Sequence, residues 1–267
     1  MPSSTTPFRN RNSLSSPHPV NYSGQRRPEQ VPKRLNTNPF AALNPLSTAT
    51  PSAPETASRL KTKIGFLNVN GISGKEEEVN ELMRKEDLDV LMLAELKCSH
   101  QSLRPFKNML LWNPNPLQHT TDGFGLILHP ERYLDLKARI KVVKEDKSGC
   151  WFSIDGMLVG GLYMHCSSSE ATIAARLAPP IDTLEYVILG DMNGWMGSDA
   201  DGNRWNAQGN LIDEVMVERG ITLREPEEAK FTFHGGMGRS VVDHVLTSGI
   251  LIDSRITRCY VSDEEVG

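Results

Sequence analysis

Four groups of polar residues border short apolar runs, and their side chains are of the types that bind metal ions and transfer protons. The groups are Asn68 with Asn70, Glu95 alone, Asp191 with Asn193, and Asp243 with His244. Each is interpreted as standing at the carboxyl end of a strand or in the loop that follows, where sites are usually built on α/β frameworks. Any single group is weak evidence, because an Asp-x-Asn sequence after a strand is more often an ordinary turn. The order of the four groups is therefore more informative than any one of them.

The apolar patterns around these groups predict layered α/β architecture. Residues 63–69 and 89–94 are predicted strands, and the helical spacing of apolar residues within 75–87 places a helix between them. Further strands are predicted over 124–128, 138–144, 150–155, 158–164, 185–190, 231–234 and 241–247. Helices are predicted over 170–177 and 208–219, the second closed by Gly220 as a C-cap. Many strands with few helices, one of them between the first two strands, favour an α/β fold.

Six segments carry a resemblance to a known superfamily. They are residues 66–71, 91–98, 160–163, 187–194, 231–234 and 240–246. In this order they resemble the DNase I-like endonuclease/exonuclease/phosphatase superfamily, and more closely its abasic-site-type endonucleases and the endonuclease domains of non-LTR retrotransposons. The specific pairing is Gly190-Asp191-Met192-Asn193 with Glu95 after an upstream strand. The resemblance covers residues 62–267 and implies a four-layer α/β sandwich of two mixed β-sheets flanked by helices.

The resemblance also implies a metal site. Hydrolysing a phosphodiester requires neutralised charge on the phosphate and on the leaving oxygen, together with an activated water. Mg²⁺ prefers hard oxygen ligands and keeps several waters, so one or two protein carboxylates suffice. By resemblance, Glu95 is the principal Mg²⁺ ligand, with Mn²⁺ as an alternative ion, and Asn70 lies beside it.

The remaining roles follow from the same resemblance. Asn68 positions a ligand or the phosphate, and Tyr163 contacts the phosphate or supports the leaving group, unless it is simply a half-buried strand aromatic. Asp191 orients or deprotonates the attacking water, and Asn193 holds the phosphate and that aspartate. Asp243 corresponds to the aspartate that fixes the tautomer of the catalytic histidine in relatives.

Two further residues are candidates for substrate binding. His244 occupies a position that varies between His and Tyr in relatives. Trp195 offers a ring on which a base could stack, although packing in the core or at its rim is the competing interpretation.

Three positions depart from the family pattern. Leu67 stands where relatives usually have an aromatic residue, and Ala94 where they usually have Gln. The family ends in a Ser-Asp-His strand, whereas here Ser262-Asp263 is followed by Glu264. The sequence is therefore expected to lack the last catalytic strand, to be C-terminally incomplete as a domain, and to have weak or no activity.

Composition divides the chain near residue 60. Residues 1–60 are rich in Pro, Ser and Thr, carry a net charge of +5 and show no apolar periodicity, so a disordered basic leader is expected. Residues 61–267, the predicted catalytic domain, carry −9. The basic leader could hold nucleic acid loosely through phosphates, whereas the acidic body is unusual for a protein that binds duplex DNA.

The compartment is inferred from what the sequence contains. The four cysteines form no CxxC pair, which suits reduced thiols in an intracellular, nuclear or cytoplasmic protein that is not secreted. No apolar run approaches the roughly 20 residues needed to span a bilayer, so no membrane association is expected.

Three functions stay open at this point. The first is the endonuclease domain of a LINE-like element that nicks DNA, with a reverse transcriptase region downstream in cis. The second is a phosphatase or RNA phosphodiesterase, because the same metal site serves several phosphoesters. The third is a non-catalytic remnant or truncated gene product.

Overall fold

The computed structural model describes one part of the chain in detail. The described residues are 61–98, 106–113, 123–198, 200, 202–228, 230–235, 238–249, 252 and 255–262. Contacts divide the chain into two units, residues 1–56 and 57–267, and every described residue belongs to the second. The predicted disordered leader lies outside the described residues.

Twelve strands and four α-helices make up the described fold. The strands are β1 (Ile64–Asn68), β2 (Val90–Ala94), β3 (Met109–Asn113), β4 (Phe124–Leu128), β5 (Ile140–Asp146), β6 (Gly149–Ile154), β7 (Met157–Tyr163), β8 (Tyr186–Asp191), β9 (Ile221–Arg224), β10 (Phe233–Gly235), β11 (Gly238–Ser240) and β12 (Asp243–Ser248). The helices are α1 (Glu76–Lys85), α2 (Tyr133–Arg139), α3 (Glu170–Leu177) and α4 (Ala207–Arg219), with a 3₁₀ turn at Pro130–Arg132. None of these helices is both long and apolar enough to cross a membrane.

The strands form two main sheets and a small hairpin. The first sheet has the order β1-β2-β4-β3, the second has β5-β6-β7-β8-β12-β9, and β10 pairs with β11. In each main sheet one pair is parallel, β1 with β2 and β7 with β8, while the other pairs are antiparallel. Both sheets are therefore mixed, as the sequence predicted.

Alternation along β2 explains how the layers stack. All five residues of β2 are buried, and successive side chains of a strand point to opposite faces. Val90, Met92 and Ala94 pack between the two sheets, against side chains of β6 and β7. Leu91 and Leu93 pack on the other face, in the cluster that holds the buried side of α1. Helices α3 and α4 cover the outer face of the six-stranded sheet, which gives four layers.

The two sheets approach each other closely at one glycine. A Cβ atom on Gly161 of β7 would lie 2.2 Å from Sδ of Met92 and 2.8 Å from Cζ of Phe124. Since real Cβ atoms do not come so close to other atoms, any larger residue at this position would require the Met92 and Phe124 side chains to move.

Several predicted elements need correction. The strand predicted over 138–144 starts only at Ile140, because residues 133–139 form α2, which has one buried residue, Leu136. The sequence analysis did not identify β3, β9 and β11, which have three to five residues each. Strands this short show too few alternations to stand out from a loop.

Candidate active site at the facing ends of the two sheets

Four of the predicted site residues lie where strands from both sheets end or begin. Asn68 is the last residue of β1, Glu95 follows β2 directly, and Asp191 is the last residue of β8. Asp243 was predicted at the carboxyl end of its strand, and this is wrong, because it is the first residue of β12. Strands β8 and β12 are antiparallel with Asp243 opposite Asp191, so the start of one strand meets the end of the other.

Asp191 is held by one residue of the other sheet and by the loop that follows its own strand. Its Oδ2 accepts a hydrogen bond of 2.9 Å from Nδ2 of Asn68, and its Oδ1 accepts one of 2.9 Å from the backbone N–H of Asn193. The residue is only 5% exposed. Asn68 in turn accepts a bond of 3.0 Å from the backbone N–H of Asn70. Both oxygens of this carboxylate are therefore oriented, and the first predicted group joins the third.

Two carboxyl groups share this buried region without a neutralising arginine or lysine among the described residues. Burial raises the pKa of Asp191, and the nearby Glu95 charge raises it further, while the hydrogen bonds from Asn68 and Asn193 oppose the shift. Burial also raises the pKa of Asp243, and the charge of Asp191 adds to the effect. The Oδ1 atom of Asp243 is buried without a hydrogen-bond partner in the described part of the chain. Such a pair favours a bound proton or a bound cation.

The two predicted metal ligands converge on one cation. Oε2 of Glu95 lies 2.8 Å from Nζ of Lys97, and the same ammonium group donates a hydrogen bond to Oδ1 of Asn70. An acidic and an amide oxygen from two different loops thus already surround a positive charge, which is the donor set that Mg²⁺ prefers. Within the described ranges no three His, Cys, Asp or Glu side chains group as metal ligands.

Asn193 contacts Asp191 through its backbone, while its side chain is used to hold the surrounding loops. Its side-chain Nδ2 donates to the carbonyl oxygen of Met164 at 2.9 Å, in the loop after β7. Its carbonyl oxygen accepts from Nδ2 of Asn206 at 3.4 Å, and Oδ1 of Asn206 accepts from the backbone N–H groups of Trp195 and Gly209. Asn206 is the N-cap of α4, so one side chain both starts the helix and fixes the loop after β8.

Tyr163, His244 and Trp195 differ in how far they reach the site. Tyr163 pairs with Asp191 across β7 and β8, and it is 6% exposed among the residues between the sheets. His244 is 5% exposed, and its Nε2 lies 2.8 Å from the carbonyl oxygen of Gly194, so the ring lies inside the fold. Trp195 is partly exposed, with the Arg204 guanidinium 4.9 Å from its ring centre. Of the two predicted substrate-binding residues, only Trp195 is presented near the surface.

Three residues at the site were missed by the sequence analysis. They are Lys97, Asn206 and Thr232, whose Oγ1 accepts from the backbone N–H of Asp243 at 3.0 Å. Asn206 could have been found, because Asn is a preferred N-cap and stands just before the predicted helix. Nothing in the sequence marks Lys97 or Thr232, since each acts through a contact between segments that are distant in the chain or separated by a loop.

The comparisons with known proteins rest on structure alone. No family model matches the chain, and no curated protein matches it in sequence. A 3′-5′ exonuclease, NExo from Neisseria meningitidis, superposes with a TM-score of 0.51 and 18% identity over 70% of this chain and 87% of its own. The endonuclease domain of TRAS1, a telomere-specific non-LTR retrotransposon, superposes with a TM-score of 0.54 and 12% identity. This superposition covers 72% of this chain and 87% of the TRAS1 domain. A variant of NExo from Neisseria, a 3′ phosphatase bound to a product DNA hairpin, superposes with a TM-score of 0.51 and 17% identity. This superposition covers 72% of this chain and 88% of the variant.

The three superpositions cover 87–88% of the neighbouring chains. Identities of 12–18% carry no information on substrate, but the fold is established by the superposition. The described part of the chain therefore has a DNase I-like fold.

Proposed function

We propose that this protein hydrolyses phosphodiester bonds in DNA with the help of a divalent cation, in the manner of a retrotransposon endonuclease. The observation that carries the proposal is Asp191, a buried carboxylate with a raised pKa that is oriented by Asn68 from the other sheet. A carboxylate held in this way, next to a place prepared for a cation, suits the activation of a water molecule.

Mg²⁺, or Mn²⁺ in its place, would be held by Glu95 and Asn70 and would neutralise charge on the phosphate and on the leaving oxygen. Asp191 then accepts the proton of the attacking water, and its raised pKa makes it a better base than a solvated carboxylate. Asn68 and the backbone N–H of Asn193 fix the direction of the accepting lone pairs. Tyr163 and Trp195 are assigned contacts with the phosphate and with a base, respectively.

Turnover is expected to be slow. In the described part of the chain no histidine ring is hydrogen-bonded to Asp191 or Asp243. Proton transfer to the leaving group by a positioned side chain typically contributes roughly 10²- to 10⁴-fold in rate. The proposal therefore predicts cation-dependent nicking at a rate well below that of an enzyme with a histidine at this point.

The test is the conversion of supercoiled plasmid to nicked circles by the full chain. Nicking should require Mg²⁺ or Mn²⁺, stop with EDTA, and disappear in Glu95→Gln. Glu214→Gln, an exposed position on α4, is the matched control and should leave the rate unchanged. Nicking that persists in Glu95→Gln, or in EDTA, would contradict the proposal.

A second candidate is the removal of a 3′ phosphate from DNA. One structural neighbour is described as a 3′ phosphatase. A metal site of this type can serve both phosphomonoesters and phosphodiesters. A 3′-phosphorylated oligonucleotide and an internally labelled duplex, offered together, separate the two candidates. Loss of phosphate without internal cleavage would favour the phosphatase, and internal cleavage would favour the endonuclease. The endonuclease proposal includes a reverse transcriptase region acting in cis, as the resemblance to retrotransposon endonucleases implies.

A further inference from the structure

We propose that Lys97 is a tethered cation that occupies the space between Glu95 and Asn70 until a divalent ion displaces it, and that it thereby sets the metal affinity of the site. This inference rests on the proposed function, because it concerns the same two ligands. It adds a residue whose role is to weaken and gate metal binding.

The first observation is the position of the ammonium group. Nζ of Lys97 lies 2.8 Å from Oε2 of Glu95 and also donates a hydrogen bond to Oδ1 of Asn70. These are the two oxygen atoms assigned to the metal. A divalent ion bound to both would need the volume that the ammonium group fills, so the two cations exclude each other.

The second observation is that the two loops keep their shape without the ammonium group. The backbone N–H of Gly71 donates to the carbonyl oxygen of Glu95 at 2.8 Å, and that of Ile72 donates to Leu96 at 3.0 Å. These bonds extend the pairing of β1 with β2 beyond the strands. The backbone that carries the two ligand side chains is therefore held independently of Lys97.

The third observation is backbone strain at all three residues. Asn70, Glu95 and Lys97 have φ angles of 44°, 52° and 45°, in the left-handed region that non-glycine residues rarely adopt. Strain of this kind collects at functional sites. The Glu95 and Lys97 side chains meet although they are only two positions apart.

The fourth observation is the difference in exposure. The Glu95 side chain is 12% exposed and that of Lys97 is 32% exposed. A carboxylate this deep needs a countercharge, whereas the lysine stem reaches in from the solvent side and can swing out. Since the lysine is part of the chain, it competes at a fixed effective concentration that a metal ion must exceed.

Removing the ammonium group should therefore tighten metal binding. Lys97→Met keeps an unbranched side chain and deletes the charge, and we expect the Kd for Mn²⁺ to fall on the order of tenfold, as expected for a unit charge a few ångströms away at the protein surface. Lys97→Arg keeps the charge and should retain the weak affinity of the wild-type protein.

The experiment is a Mn²⁺ titration of the full chain. Binding is measured by calorimetry and by the electron paramagnetic resonance signal of free Mn²⁺. Lys75→Met is the matched control, because Lys75 donates to the carbonyl oxygen of Val69 at 2.9 Å in the adjoining loop and makes no contact with Glu95. Tighter binding by Lys97→Met alone supports the inference. Unchanged or weaker binding by Lys97→Met, or an equal gain in Lys75→Met, overturns it.

A melting curve without metal provides an independent readout. Lys97→Met should melt below the wild-type protein in EDTA, because Glu95 is left without a countercharge, and saturating Mn²⁺ should remove the difference. A Lys97→Met protein that melts like wild type in EDTA would contradict the inference. If wild-type protein and Lys97→Met both fail to bind Mn²⁺, the proposed metal site fails too. If wild-type protein binds and nicks DNA while Lys97→Met binds no tighter, only the present inference fails.

Discussion

Asp155 and Asp191 lie at opposite ends of the parallel strands β7 and β8, and their carboxyl groups are shifted in opposite directions. Asp155 precedes β7 and is hydrogen-bonded to the Arg139 guanidinium, which lowers its pKa. Asp191 ends β8, and burial raises its pKa. The same side chain is thus stabilised as an anion at one end of the sheet and destabilised as an anion at the other.

This difference in pKa distinguishes the end of the sheet near Asp155, where acids are paired, from the end near Asp191, where the candidate site lies. Around the starts of β2 and β7, exposed acids are paired with arginines, as in Asp87 with Arg132 and Glu131 with Arg84. Around the ends of β1 and β8, two buried carboxyl groups face each other without such a partner among the described residues. Perturbed carboxyl groups that cost stability are typical of functional sites.

The largest expected effect is on catalysis. Asp191→Asn should lower the nicking rate by roughly 10²- to 10⁴-fold, because the amide cannot accept the proton of the water. Asp155→Asn, the same change at the other end of the sheet, should leave the rate within about twofold of wild type, since surface substitutions away from a site have small effects. Initial rates with saturating Mg²⁺ measure both. Equal losses in the two variants would show that the two ends do not differ in function.

The next effect is on stability as a function of pH in EDTA. The folded pKa of Asp243 is raised above its unfolded value near 4, so the folded state binds more protons. The stability that protonated Asp243 contributes is fully present below its pKa in the unfolded chain. It is lost as the pH rises through its pKa in the folded protein. The free energy of unfolding should therefore fall from pH 5 to pH 8, by on the order of 1–2 kcal/mol, and Asp243→Asn should remove most of the fall.

Urea unfolding at several pH values tests this sign. Asp155 gives the opposite expectation, because its lowered pKa means that its contribution is lost as the pH falls below about 4. A wild-type protein that becomes more stable between pH 5 and pH 8 in EDTA, with no change in Asp243→Asn, would contradict the assignment of a raised pKa.

A third test concerns Asn206, an uncharged residue that holds the loop beside the candidate site. Asn206→Ala removes the N-cap of α4 and the contacts to the loop after β8, and we expect a loss of about 1 kcal/mol in stability together with a lower nicking rate. Ser169→Ala removes the N-cap of α3 and should cost a similar stability with an unchanged rate. Chemical unfolding and initial rates give the two numbers. Equal rate losses in both variants would mean that the loop is not specifically positioned by Asn206.

The smallest expected effect is at the paired end. Arg139→Ala removes contacts to Asp155 and Thr62, yet Asp155 is 47% exposed, so the loss should be below about 1 kcal/mol and should shrink in 1 M salt. Thermal melts at two salt concentrations check this. A loss of several kcal/mol that salt does not affect would mean that this end is not a solvent-screened ion-pair network.

The sequence predicted those parts of the fold that long patterns specify. The apolar runs of β2 and β4 and the full range of α3 were predicted to within a residue, because a buried strand or an amphipathic helix shows in composition alone. The short edge strands β3 and β9 were not, since their pairing depends on neighbours that are distant in sequence.

The site shows the same division. Asn68, Glu95 and Asp191 were identified because each terminates an apolar run, and the hydrogen bond between Asn68 and Asp191 shows that two of them meet. The burial of His244 and the position of Lys97 were not predictable, because both depend on how loops fold back over strand ends.

Gly161 has a consequence for the dimensions of the site. Its missing side chain sets how near β7 can lie to β2, and these two strands lead toward Asp191 and Glu95, respectively. A methyl group at position 161 would meet the side chains of Met92 and Phe124 first, and both pack between the two sheets. Packing near the candidate site thus depends on a position that contributes no atom to it.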